Sequence, residues 1–158
     1  MQPAKDKIIR IPVIFGEVLF DCFRDGSAVI GGAPFNVAWH LQAFGLSPLM
    51  ISSVGKDELG GRVRDAMSGW QMDTRGLQTD SEHPTGSVKI EFIDGEPHYT
   101  IVEHRAYDYI DRARLPAIET ASVLYHGTLA LRNRPSREAL EDLRKGLDAM
   151  VLLDVNLR

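Results

Sequence analysis

Gly31-Gly32-Ala33-Pro34-Phe35-Asn36 is the stretch on which the fold of this chain turns. Two adjacent glycines let the backbone bend and let another group approach with no Cβ in the way, and a proline two residues later suits the first turn of a helix. The residues that follow, Val37, Ala38, Leu41 and Phe44, recur at helical spacing and form one apolar face. Asn36 therefore falls in the first turn, beside free backbone N–H groups. On these residues alone two meanings stand. One is the wall of a ligand site; the other is a tight strand-to-helix turn in which Asn36 bonds locally.

Outward from that turn, strand-like and helix-like blocks alternate. Ile8 to Phe15 and Pro48 to Val54 are short and rich in β-branched residues, and the helix predicted from about Pro34 to Phe44 lies between them. That is a β-α-β unit, with parallel strands and a right-handed crossover. Asp57 reads as an N-cap for a helix carrying Leu59, Val63 and Met67 and ending at Gly69. Ser122 to Tyr125 reads as a buried strand and Ser136 as the next N-cap. Leu140, Leu143 and Leu147 form one stripe, and Met150 to Val155 a last strand. Met50, Met67, Met72 and Met150 read as core filler. The pattern is that of a layered α/β fold.

The middle of the chain differs. Ser87 to Ile93 and His98 to Glu103 are extended blocks joined by Asp94-Gly95-Glu96-Pro97, a hairpin signal. Glu17 to Asp21 supplies a second piece of the same small sheet, with Glu17, Leu19 and Asp21 pointing to one side. The helix-free stretch from Gly76 to Ala113 is where a lid over a ligand is expected.

Composition narrows the function classes. At 158 residues the chain is one domain by length. Its formal charge of −4 and scattered arginines give no nucleic-acid footprint. The densest basic run, Arg132 to Arg137, is broken by Pro135 and reads as a solvated loop. Cys22 is the single cysteine, so neither a disulfide within the chain nor a cysteine-built zinc site can form, and a reducing cytoplasm fits. The apolar run after the N-terminus is interrupted by Arg10 and Pro12, unlike a signal peptide or a membrane span. The five histidines show no metal-ligand spacing, and no metal site is expected.

Five segments in order resemble the ribokinase-like, or PfkB, carbohydrate kinases, and are most similar to fructokinase-like members. They are Gly16-Glu17-Val18-Leu19-Phe20-Asp21, Gly31 to Ala38, Val54-Gly55-Lys56-Asp57-Glu58-Leu59-Gly60, Thr85-Gly86 and Asp154-Val155-Asn156-Leu157-Arg158. The resemblance implies a three-layer α/β fold, a ribokinase-like sheet with helices on both faces plus a small β-sheet lid. Residues 1–158 would form the N-terminal portion of such a domain, truncated about halfway, with lid strands around 17–30 and 85–105. It further implies ATP and Mg2+ for the full-length family, a small-molecule sugar as substrate and a homodimer through the lid sheet. Asp21, Gly32 and Asn36 would hold sugar hydroxyls, and Asp57 is assigned to helix capping. Arg105, chosen over Glu103 and His104, would reach the sugar from the lid, where a guanidinium fork suits hydroxyls or the carboxylate of an acidic sugar. Arg158 would lie near the sugar, and Asp154 and Asn156 nearer the phosphates.

No Gly-x-Gly-Asp segment, which carries the catalytic aspartate in the resembling family, occurs in the sequence, nor does a Walker-type loop. The expectation is therefore an N-terminal part of a sugar kinase that is inactive alone and leaves an apolar half-sheet uncovered. A non-catalytic sugar-binding or dimerisation module is the alternative. A Rossmann oxidoreductase is disfavoured, because no Gly-x-Gly-x-x-Gly follows the first strand.

Overall fold

The computed structural model describes residues 10–93 and 95–156. Two sheets form. The larger contains β1 (Ile11–Phe15), β4 (Leu49–Gly55), β5 (Leu77–Asp80), β8 (Ala121–His126) and β9 (Met150–Leu153), in the order β5-β4-β1-β8-β9 with every pair parallel. A parallel sheet must be covered on both faces, which is why β1 and β4 read as nearly unbroken apolar runs. Helices α1 (Ala33–Ala43) and α2 (Glu58–Gly69) cover one face, where Ile14 and Met50 meet Phe35, Ala38, Val63 and Met67. Helix α3 (Arg134–Gly146) covers the other, where Val13, Phe15, Leu49 and Ile51 meet Ala139, Leu140 and Leu143. Each large apolar side chain sealed this way contributes roughly 1.5–3 kcal/mol relative to exposure.

The smaller sheet is the lid. Its strands β2 (Leu19–Cys22), β3 (Ala28–Gly31), β6 (Gly86–Ile93) and β7 (Glu96–Ile101) run in the order β3-β2-β6-β7. The registers Asp21↔Val29, Asp21↔Val88, Val88↔Ile101 and Ile90↔Tyr99 put these residues on one face. The hairpin is tighter than expected. Ile93 already pairs with Glu96 and Phe92 with Pro97, so the loop shrinks to residue 94, which lies outside the described residues, and Gly95, whose φ of 85° suits glycine. The expected helix-free stretch contains β5, a strand of the main sheet, and two 3-10 turns, Ala106–Tyr109 and Arg112–Arg114.

Three expectations are corrected by packing. Ser136 is not an N-cap: α3 starts at Arg134 after Asn133, and the buried Ser136 hydroxyl donates to the Tyr107 carbonyl (2.8 Å) and accepts from the Ile110 N–H (2.9 Å). Arg132 is not a solvated loop residue. Its guanidinium grips both oxygens of the fully buried Asp108 at 2.7 Å each, because the turn Leu129–Arg132 packs beside Ala106–Tyr109. Met150 is not core filler; it is 67% exposed, since β9 is the last strand of the sheet.

Asp57 caps α2 as read from sequence, and also ties the lid to the body. Its carboxylate accepts from the Gly60 N–H (2.8 Å), the Thr85 N–H (2.8 Å) and the Thr85 hydroxyl (2.6 Å). Burial alone would raise its pKa, but these bonds, with the Arg105 charge, outweigh burial and hold it below the usual carboxylate range. A carboxyl lowered by folding stabilises above its unfolded value and loses that contribution as pH falls through the folded one. Asp57→Asn is therefore expected to flatten the loss of stability below about pH 4, measured as the urea midpoint against pH. An unchanged acid limb contradicts this assignment.

Candidate active site

The chain leaves β1 toward β4 and β5 on one side, then returns to build β8 and β9 on the other. The crevice between β1 and β8, beyond their C-terminal ends, is the switch point where open α/β sheets hold ligands. Glu17 follows β1 there, and Gly127 and Thr128 follow β8.

Gly32 forms the floor. It sits at φ 107°, before the first residue of α1, and a Cβ at that position would lie 2.7 Å from the Glu17 carbonyl oxygen. Both the conformation and the close approach call for glycine. Asn36 follows one turn later, its N–H bonded to the Gly32 carbonyl (2.8 Å) and its side chain exposed toward the lid. Asp21 stands half-buried on the lid face of β2. Together with Glu17, Ala33, Tyr99 and Ile101 they surround a cavity of about 400 Å³, within the range of small-molecule sites.

A smaller cavity of about 150 Å³ adjoins it, sharing Glu17, Ala33, Ile101 and Leu129 and adding Gly127, Thr128, Asp154 and Asn156. Asp154 is held by the Tyr125 hydroxyl, which donates to it at 2.9 Å, and Asp154 accepts the Asn156 N–H at 3.0 Å. Burial, then the bond to Asp154, pushes the Tyr125 phenol up to about 12, so it stays a donor at neutral pH. The two cavities make one cleft, with Asp21 and Asn36 at one end and Asp154 and Asn156 at the other.

The structure thus brings together Asp21, Gly32 and Asn36, and sets Asp154 and Asn156 next to them. Arg158 lies outside the described residues. Arg105 lines neither cavity: its N–H donates to the Asp108 carboxylate (2.9 Å), and its charge acts on Asp57 and Tyr107. Glu17 was given no role from sequence, yet it is 3% exposed and lines both cavities. An acidic residue just past an apolar strand, after a single glycine, is the available signal. Among the described residues no group of three or more His, Cys, Asp or Glu side chains converges, and no helix is long and apolar enough to cross a membrane.

Comparison with known proteins agrees with this architecture. Residues 20–157 match the pfkB family of carbohydrate kinases. The sugar kinase PH1459 of Pyrococcus horikoshii is 30% identical over 132 residues, 81% of this chain and 43% of that protein, and its ATP complex superposes with a TM-score of 0.84 over 94% of this chain and 54% of that one at 28% identity. The aminoimidazole riboside kinase of Salmonella typhimurium is 31% identical over 133 residues, covering 81% and 42%. Apo fructokinase from Vibrio cholerae superposes with a TM-score of 0.85 at 26% identity, covering 96% and 55%. The chain spans about half the length of the curated relatives it matches. A parallel sheet with its crevice at the switch point, a β-sheet lid above it and a family match over residues 20–157 lead to one conclusion: the chain belongs to the pfkB family of carbohydrate kinases.

Proposed function

We propose that this chain forms the sugar-gripping part of an ATP-dependent sugar kinase of fructokinase-like type. The observation that carries this reading is the convergence of Asp21, Gly32 and Asn36, from the lid, the glycine turn and the first helix, on one cavity. An ionised Asp21 accepts hydrogen bonds from hydroxyls and offers none, whereas the Asn36 amide can do both. Gly32 lets a sugar ring lie against the main chain. A sugar held there would turn one end toward Asp154 and Asn156, the side on which a transferable phosphate is expected. ATP would supply that phosphate in the complete kinase, with Mg2+ beside it. No Gly-x-Gly-Asp segment lies in the sequence to supply the aspartate that takes the hydroxyl proton, so the chain alone is expected not to turn over. Arg105, at the foot of the lid, would act on the site through Asp57 and the lid entry, and Arg158 would approach the sugar from beyond β9.

Pairing of two lids belongs to the same reading, supported by Val29, Phe92 and Tyr99, which stand exposed on the lid. A cytoplasmic setting suits the single cysteine. Calorimetry with D-fructose, D-ribose and aminoimidazole riboside tests the proposal. At least one is expected to bind the folded chain at millimolar concentration; silence from all three overturns it. A non-catalytic binding module would give the same heat, so turnover is assayed separately, by ADP release.

A further inference from the structure

We propose that the larger cavity takes a sugar whose anomeric position carries a flat apolar ring, an aryl or heteroaryl glycoside, and that Tyr99 of the lid selects it over the free sugar. This rests on the sugar kinase reading above and names the substrate class of the same site.

The cavity is divided by chemistry. At one end stand Asp21, Gly32 and Asn36, groups that suit hydroxyls. The lid wall beside them then changes character. Register sets Asp21 on β2 next to Val88 on β6, and Val88 next to Ile101 on β7, with Tyr99 two residues from Ile101 on the same face. Two strand spacings separate Asp21 from Ile101, roughly 10 Å at the level of the backbone. Leu129, from the turn after β8, also lines the cavity, and it packs with Ile101 on the buried cluster that contains Val88. A hydroxyl turned toward Val88, Ile101 and Leu129 would leave water for side chains that offer no hydrogen bond, which is unfavourable. A flat apolar ring in the same place removes its own surface from water at no such cost.

Tyr99 marks where that ring lies. Its neighbour across the strands, Ile90, is buried, as is Val88, whereas Tyr99 is 59% exposed while lining the cavity. An aromatic side chain so placed offers area that a second ring can cover by offset or edge-to-face stacking. Tyr99 lines the larger cavity only, whereas Asp154 and Asn156 line the smaller one. A ring held against Tyr99 therefore leaves the end where the phosphate is expected to the sugar itself. Exposure of Tyr99 also serves the pairing of two lids, and Phe92 separates the two roles: it shares the face of Val88 and Ile90 and stands exposed, yet does not line the cavity.

The test is calorimetry on the folded chain with D-fructose, D-ribose, methyl β-D-ribofuranoside and phenyl β-D-ribofuranoside. The phenyl glycoside is expected to bind roughly tenfold or more tightly than the methyl glycoside. Tyr99→Ala should abolish that preference and leave the affinity for D-ribose unchanged, which shows that the cavity is still formed. Tyr99→Phe should keep the preference, because stacking needs the ring and not the hydroxyl, and Phe92→Ala should keep it too. Equal affinity for the two glycosides overturns the proposal, as does binding of D-ribose or D-fructose with the phenyl glycoside silent. So does a preference that survives Tyr99→Ala, or a Tyr99→Ala variant that weakens D-ribose equally. Loss of the preference in Phe92→Ala overturns it as well, since Tyr99 would then act through lid pairing. Silence from every sugar sinks the functional reading and this proposal with it, whereas free sugars that bind without an aryl preference sink the substrate class alone.

Discussion

Asp108→Ala is expected to destabilise the chain by about 3–5 kcal/mol, the cost of removing one partner from a buried ion pair. Asp108 is fully buried, and its two oxygens accept from Arg132 Nε and an Arg132 terminal nitrogen at 2.7 Å each, while the Arg105 N–H adds a third bond at 2.9 Å. Alanine leaves all of these donors behind. Arg132 also bonds the Val102 carbonyl (2.8 Å) and the Tyr107 hydroxyl (3.1 Å), so the change releases the end of the lid from α3 and its flanking turns. The Arg132 side chain is 23% exposed and can take up some water, which favours the lower end of the range. For a chain of this size the loss corresponds to a fall in Tm of roughly 6–20 °C. Thermal unfolding followed by circular dichroism checks it, and a fall within experimental scatter would mean that the pair contributes little beyond its own desolvation.

Asp21→Ala is expected to weaken sugar binding by roughly 100-fold or more, since two hydrogen bonds to a charged acceptor contribute roughly 1.5–3 kcal/mol each and every 1.4 kcal/mol is tenfold. Stability should change far less than for Asp108→Ala, because Asp21 is half-buried and lies at the cavity rather than in the core. Asp21→Asn should fall between, keeping one acceptor and losing the charge. The pattern separates recognition from folding: calorimetry should lose the heat of binding while the unfolding curve stays in place. Equal affinity for the wild-type and alanine proteins would move the sugar away from the lid and leave the cavity to another ligand.

Much of this arrangement is legible in the sequence. The glycine pair, the helix from Ala33, the Asp57 cap and the lid hairpin all follow from features within about ten residues of chain. The side on which Glu17, Leu19 and Asp21 face was legible too, because strand periodicity fixes it. The failures share another origin. Ser136 reads as a cap on local grammar, yet its hydroxyl is used by Tyr107 and Ile110, 29 and 26 residues away in sequence. Arg132 looked solvated because its partner Asp108 is 24 residues distant.

Sequence alone determined most of the elements and their chemistry, α3's start and β5 excepted, since most caps, strand alternation and glycine positions are set by neighbouring residues and by steric limits on the backbone. Spatial packing assigned the rest. It made Glu17 a shared wall of two cavities, drew Arg105 toward Asp57 instead of the cleft, and gave Met150–Leu153 an edge although its composition matches that of the buried Leu49–Ile51. Strand order decides that last difference. A strand's place in the sheet depends on which other strands pair with it, and no periodicity within four residues records that.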